Sequence, residues 1–165
     1  MWKTTNWGVD YKPIFDKQGS YSIGCVSIDP KNPNVVWVGT GENNNQRSVA
    51  YGDGVYKSVD GGASWKNMGL KSSEHIGNIL IHPENSDIVY VSAYGPLWNK
   101  GGDRGIYKTT DGGKSWNKIL FIDSGTLVTS SISINLFFAL PYISFPLIIQ
   151  LVLNSELQPS QVKLH

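Results

Sequence analysis

"YKSVDGGASW" occupies residues 56–65 and "YKTTDGGKSW" residues 107–116, so nearly the same ten letters are written twice, 51 positions apart. Each copy opens on an aromatic residue and a lysine suited to a pleated strand. Each then turns through Asp-Gly-Gly and closes on Ser-Trp. The Asp carboxylate accepts backbone N–H groups across a tight turn. The glycines supply positive φ, and the Trp packs back over the hairpin as a large apolar plug. Ser58, Asp60, Gly62 and Trp65, with Thr109, Asp111, Gly113 and Trp116, therefore read as fold residues rather than catalytic ones. The ligand series of a calcium-binding EF-hand loop is absent from both copies.

The repeat extends upstream. "VSIDPKNPNVVWV" (26–38) matches "ILIHPENSDIVYV" (79–91) at an offset of 53. The unit is an apolar strand, a Pro-Asn turn, a β-branched and aromatic strand, a variable loop, and the Asp-Gly-Gly hairpin. Four strands in about 50 residues fit a blade of a β-propeller. "WKTTNWGVDYKPI" (2–14) holds only the last hairpin of such a unit. There Asn6 replaces Asp, Trp7 replaces a Gly and Tyr11 replaces Trp, which predicts a looser copy. The expected fold is all-β: a partial propeller of two four-stranded antiparallel blades plus an N-terminal hairpin. Residues 1–15 form that hairpin, 16–69 and 70–122 the two blades, and 123–165 a hydrophobic tail outside the propeller pattern.

The stretches at 58–65 and 109–116 resemble Asp-boxes, the mark of BNR-repeat propellers. That group includes sialidases, xyloglucanase-type glycoside hydrolases, photosystem assembly factors and the sortilin ectodomain. Residues 2–122 are most similar to bacterial secreted repeat proteins of the glycosyl-hydrolase-like or sortilin-like kind. The resemblance implies a carbohydrate- or peptide-binding scaffold from a secreted or cell-envelope parent. The alternative is part of a xyloglucanase-type hydrolase whose active site needs further blades.

Bulk composition narrows the partners. The 165-residue chain carries a formal charge of +1, which gives no electrostatic case for nucleic acid. Six Trp, eight Tyr and 18 Gly favour short strands and many turns. The lone cysteine, Cys25, lies in the apolar run "IGCVSI" and reads as a small buried hydrophobe. The N-terminus has no apolar signal-peptide core. Two blades and a hairpin do not close a ring, since each blade needs neighbours. The remaining blades of a longer parent, or other copies of the chain, are the expected structural partners.

After Asp123 the blade pattern stops, and no charge follows until Glu156. Residues 132–153 are 22 uncharged residues, long enough to span a bilayer. Pro141 and Pro146 interrupt them and no Lys/Arg cluster flanks them. A membrane segment, an aberrant translation and a buried strand pair all remain open for the tail, and membrane contact is expected only through 132–153.

The family geometry implied by the resemblance places the long loops 39–54 and 93–105, with 16–24 and 71–77, on one face opposite the Asp-boxes. Loops on a rigid scaffold concentrate binding residues. Asn44, Arg47, Tyr51, His75, Tyr94, Trp98 and Arg104 are the ligand-binding candidates. Asp53, Asp103 and Glu42 are the acids for a hydrolase, and Asp53 in "YGDGVYK" resembles the aspartate before the third strand of xyloglucanase-type blades. Asp53 and Asp103 each precede a glycine and a strand, so turn chemistry is the competing role. A sialidase needs three arginines, and only Arg47 and Arg104 are present. His75 has no second ligand at metal spacing. No metal and no cofactor are expected.

Overall fold

A computed structural model describes residues 1–43 and 48–120. The tail from 121 onward, with its 132–153 stretch, and the candidates Asn44 and Arg47 lie outside the described residues. The described chain is a partial β-propeller. A two-stranded hairpin joins β1 (Trp2–Lys3) and β2 (Lys12–Pro13). The first blade is an antiparallel meander of β3 (Ile23–Ile28), β4 (Val36–Thr40), β5 (Val55–Ser58) and β6 (Lys66–Gly69). The second repeats it with β7 (Ile76–Ile81), β8 (Val89–Ala93), β9 (Gly105–Thr109) and β10 (Asn117–Leu120). A single 3-10 turn at Lys71–Ser73 links the blades. Among the described residues no helix is long and apolar enough to cross a membrane.

The hydrophobic cores lie between neighbouring units. Along β4 alternate side chains face opposite ways, as a pleated strand requires. Trp37 joins a core with Ile76, Ile79, Val89, Val91 and Tyr107 of the second blade, and Met68 and Trp116 pack against it. Val38 faces the other way, into a core with Phe15 and Tyr56 that also takes Trp65. Trp37, Ile76, Val89 and Val91 are fully buried, and each such side chain contributes about 1.5–3 kcal/mol. Most of that stabilisation exists only when one sheet covers the next, so a blade is not an independent folding unit.

The Asp-Gly-Gly hairpins supply the staple between units. Ser64 donates its amide (2.8 Å) and hydroxyl (2.5 Å) to Asp60, and the Gly62 amide donates to Ser58 Oγ at 2.8 Å. Asp111, Ser115, Gly113 and Thr109 repeat the pattern at 2.9, 2.6 and 2.9 Å. So closed, each turn aims its indole backward across the junction. Trp65 Nε1 donates to the Ile14 carbonyl at 2.6 Å, and Trp116 Nε1 to the Met68 carbonyl at 2.8 Å. Ile14 and Met68 each stand three residues after the closing aromatic of the preceding hairpin. The lysines beside them add a second tie: Lys3 Nζ donates to the Gly61 carbonyl at 2.7 Å and Lys57 Nζ to that of Gly112 at 3.1 Å.

In the first copy the turn keeps its bonds in altered form, while its closing aromatic is exposed. The Gly8 amide donates to Thr4 Oγ1 at 2.8 Å and the Asp10 amide to Asn6 Oδ1 at 2.9 Å. The side-chain bond is kept with its polarity reversed: the Asn6 amide nitrogen donates to Asp10 at 2.9 Å, where Ser64 donates to Asp60. Trp7 takes the first glycine's left-handed place, with φ 58°, against 67° at Gly61. Tyr11, in the place of Trp65, remains 58 % exposed.

These bonds set an acid limit. The Ser64 hydroxyl and amide, then the Ser58 hydroxyl, hold Asp60 down at about 2. Ser115 and then Thr109 hold Asp111 well below the usual carboxylate range. A depressed folded value means that the stabilisation is fully present above the unfolded carboxylate value, about 3.9, and is lost as pH falls through the folded one. The urea midpoint should therefore drop between about pH 4 and about pH 2. The double variant Asp60→Asn/Asp111→Asn should flatten that slope.

Cys25 shows how tightly the sheets approach. A Cβ on Gly39 would lie 2.7 Å from both Cys25 Sγ and Ile76 Cβ, so only glycine fits between them. Burial pushes the Cys25 thiol up to about 12. Cys25 is half-buried, and because the thiolate is the reactive form, iodoacetamide at pH about 8 should alkylate it far more slowly in the native chain than in denaturant.

Candidate functional site

A meander sends alternate connections to opposite ends. The segments before β3, between β4 and β5, between β6 and β7, and between β8 and β9 thus share one end, away from the Asp-Gly-Gly hairpins. Backbone bonds draw these segments together. Gly41 N donates to Ser22 O at 3.1 Å, Gly52 N to Glu74 O at 2.7 Å, and Asp103 N to Ser72 O at 3.2 Å. The β6–β7 link is the hub, because both long loops bond to it.

Each candidate acid holds a loop. Asp53 accepts the Tyr56 hydroxyl on one carboxylate oxygen and the Thr40 hydroxyl on the other at 3.3 Å. The Asp53 amide donates back to Thr40 Oγ1 at 2.9 Å. The Tyr56 hydroxyl also accepts the Gly19 amide at 3.3 Å. Burial, and next the bond to Asp53, raise the Tyr56 phenol above its usual value. Asp103 accepts the Ser72 amide at 3.0 Å and so ties the second long loop to the hub. Glu42 accepts the Ala50 amide at 3.2 Å and closes the base of the first. All three residues are half-buried.

The binding candidates fall into two groups. Tyr51 and His75 are neighbours, with ring centroids 5.8 Å apart. His75 is fully buried, and burial holds its imidazole below the usual histidine value. Its carbonyl accepts the Ser73 hydroxyl at 2.7 Å and the Tyr94 amide at 2.9 Å. The Tyr94 ring lies over Gly77, where a Cβ would strike it. Tyr51, 57 % exposed, is the member of this group that faces solvent. In the second loop Arg104 is buried and donates to the carbonyls of Pro96 and, at 3.1 Å, Asn99. Its guanidinium holds that loop in shape and presents Trp98, 58 % exposed, at the rim. Among the described residues no group of three or more His, Cys, Asp or Glu could hold a metal ion.

Sequence reasoning did not select Thr40, Tyr56 or Ser20 for the site. Ser20 Oγ donates to Tyr51 O at 3.1 Å, and Asn43 Nδ2 to Gly24 O at 3.1 Å. Tyr56 carried a signal, since Asp53-Gly-Val-Tyr56 places a hydroxyl three residues after a carboxylate at a strand start.

No family model matches the sequence. Over 99 residues the chain is 29 % identical to a protein named probable oligoxyloglucan-reducing end-specific xyloglucanase, from Neosartorya fischeri, an alignment covering 57 % of this chain. An ancestral GH74 enzyme superposes with a TM-score of 0.57 over 76 % of this chain at 20 % identity. The GH74 enzyme of Niastella koreensis superposes with a TM-score of 0.51 over 70 % at 21 % identity. The chain spans 10 % of the xyloglucanase and 16 % and 17 % of the two GH74 chains. The described residues thus share the fold of part of these GH74 β-propellers.

Proposed function

We propose that this chain supplies two adjacent blades and a hairpin to a secreted, xyloglucanase-type glycoside hydrolase propeller, with its loop-bearing end as part of the glycan-binding face. The two repeated hairpins are Asp-boxes in this reading. The similarity to a xyloglucanase over more than half the chain carries it. Two exposed aromatic side chains, Tyr51 and Trp98, stand at the end where the loops gather, and such platforms stack on the C–H faces of sugar rings. This favours a hydrolase parent over a sortilin-like peptide scaffold.

Asp53, Asp103 and Glu42 act here as loop anchors, and the acid and nucleophile or base that glycoside cleavage requires draw on other blades of the parent. In affinity electrophoresis the chain should be retarded by xyloglucan, and Trp98→Ala should lose most of the retardation with an unchanged circular dichroism spectrum. Release of reducing ends by the chain alone should stay at background. Equal mobility with and without xyloglucan would overturn the reading.

A further inference from the structure

The end opposite the long loops has its own cavity. A groove of about 570 Å³ lies at the β5–β6 and β9–β10 hairpins, lined by Trp65 and Met68 together with Lys57, Lys66, Asp87 and Lys114. Its walls are held at fixed spacing. Lys57 Nζ donates to the Gly112 carbonyl at 3.1 Å, and Trp116 Nε1 to the Met68 carbonyl at 2.8 Å. The Gly112 amide donates to the Asp87 carbonyl at 3.0 Å, which fixes the backbone under that carboxylate.

We propose that this groove is a second saccharide-binding site, which takes a neutral polyhydroxylated chain. The choice of glycan rests on the hydrolase reading above; the site itself rests on the groove. Trp65 and Met68 are among the lining residues, and an indole and a thioether offer apolar surface to the C–H face of a pyranose ring. Ammonium donors and a carboxylate acceptor side by side match vicinal hydroxyls, each of which both donates and accepts. Three lysines against Asp87 and Asp111 leave little net charge, so nothing here concentrates a polyanion.

The chain contains its own control. The junction between the N-terminal hairpin and the first blade has the same ties, Lys3 to Gly61 at 2.7 Å and Trp65 to Ile14 at 2.6 Å. There Asn34 and Ala63 stand where the second junction has Asp87 and Lys114. The architecture is thus built without that charged pair. Asp87 and Lys114, both exposed, are available to a ligand.

The test is amide chemical-shift mapping of the full chain with xyloglucan oligosaccharides. Shifts are expected at residues 64–68 and 112–114. The variant Asp87→Asn/Lys114→Ala, which copies the first junction, should weaken them by about ten-fold, the scale of one lost charge-assisted hydrogen bond. It should leave shifts in the long loops unchanged. Shifts confined to the long loops would overturn the groove site and leave the proposed function standing; shifts confined to the groove would do the reverse. Groove shifts that fade steeply with salt, or that an acidic peptide produces more strongly, would overturn the neutral-saccharide assignment. Absence of any shift would overturn both.

Discussion

Trp116→Ala should lower the unfolding free energy by about 3 kcal/mol, the lower end for deleting a large aromatic from a core, because the indole is only partly buried. Three losses combine. The ring leaves its edge-to-face contact with Trp37, whose centroid lies 6.2 Å away. The Met68 carbonyl loses its donor. The inter-blade core around Ile79 and Tyr107 opens to water on one side. Trp116→Phe should separate these effects, retaining most of the packing and costing about 1 kcal/mol for the hydrogen bond. Tyr11→Ala supplies the contrast. Tyr11 holds the corresponding place in the first hairpin but is mostly exposed, so its removal should stay within about 0.5 kcal/mol. Urea titration of the three variants measures all of this.

Gly41→Ala should be comparably damaging, at about 3 kcal/mol, through a different cause. Gly41 has φ +95°, where an L side chain costs about 1–2 kcal/mol. A Cβ there would also fall on the Glu74 carbonyl oxygen and lie 2.7 Å from His75 Cα. Both obstacles are backbone of the β6–β7 hub, so neither can swing aside, and overpacking of this kind adds about 1–3 kcal/mol. The damage is placed where the loops converge, so glycan retardation should fall along with stability. Gly101→Ala is the control. Its φ is +94° but a Cβ there meets nothing within 4 Å. It should show the backbone cost alone, about 1–2 kcal/mol, with retardation kept.

The period of the chain, the number of strands per unit and the roles of Asp60 and Asp111 were legible because they depend on residues close in sequence. Strand, turn and hairpin chemistry act within about eight positions, and the two phrases at 56–65 and 107–116 repeat them. The backward reach of Trp65 and Trp116 was not legible. Their acceptors lie 51 and 48 residues earlier and are backbone carbonyls of Ile14 and Met68, which no side-chain pattern marks. The first hairpin is a related case. Asn6 for Asp reads as a lost carboxylate until Asp10, four residues on, is seen to take the acceptor role.

Among the site candidates, Tyr51 and Trp98 stand exposed at the loop-bearing end, where long loops on a scaffold put them. Arg104 illustrates the limit of reading a loop by composition. Arg104 in "GGDRG" is a ligand-binding candidate by sequence, yet the loop folds around it and its guanidinium donates to the carbonyls of Pro96 and Asn99. His75 reads as a polar loop residue and is instead fully buried beside Tyr51. For Arg104 the decisive partners are loop carbonyls that have no sequence signature.

The radial arrangement of adjacent sheets is tested most directly by the indole protons of Trp65 and Trp116. In a nuclear Overhauser experiment each Nε1–H should show cross-peaks to the outer strand of the preceding unit, Trp116 to Met68 and Gly69, and Trp65 to Pro13 and Ile14, with slowed solvent exchange. Indole protons that exchange freely and contact only their own hairpins would contradict it.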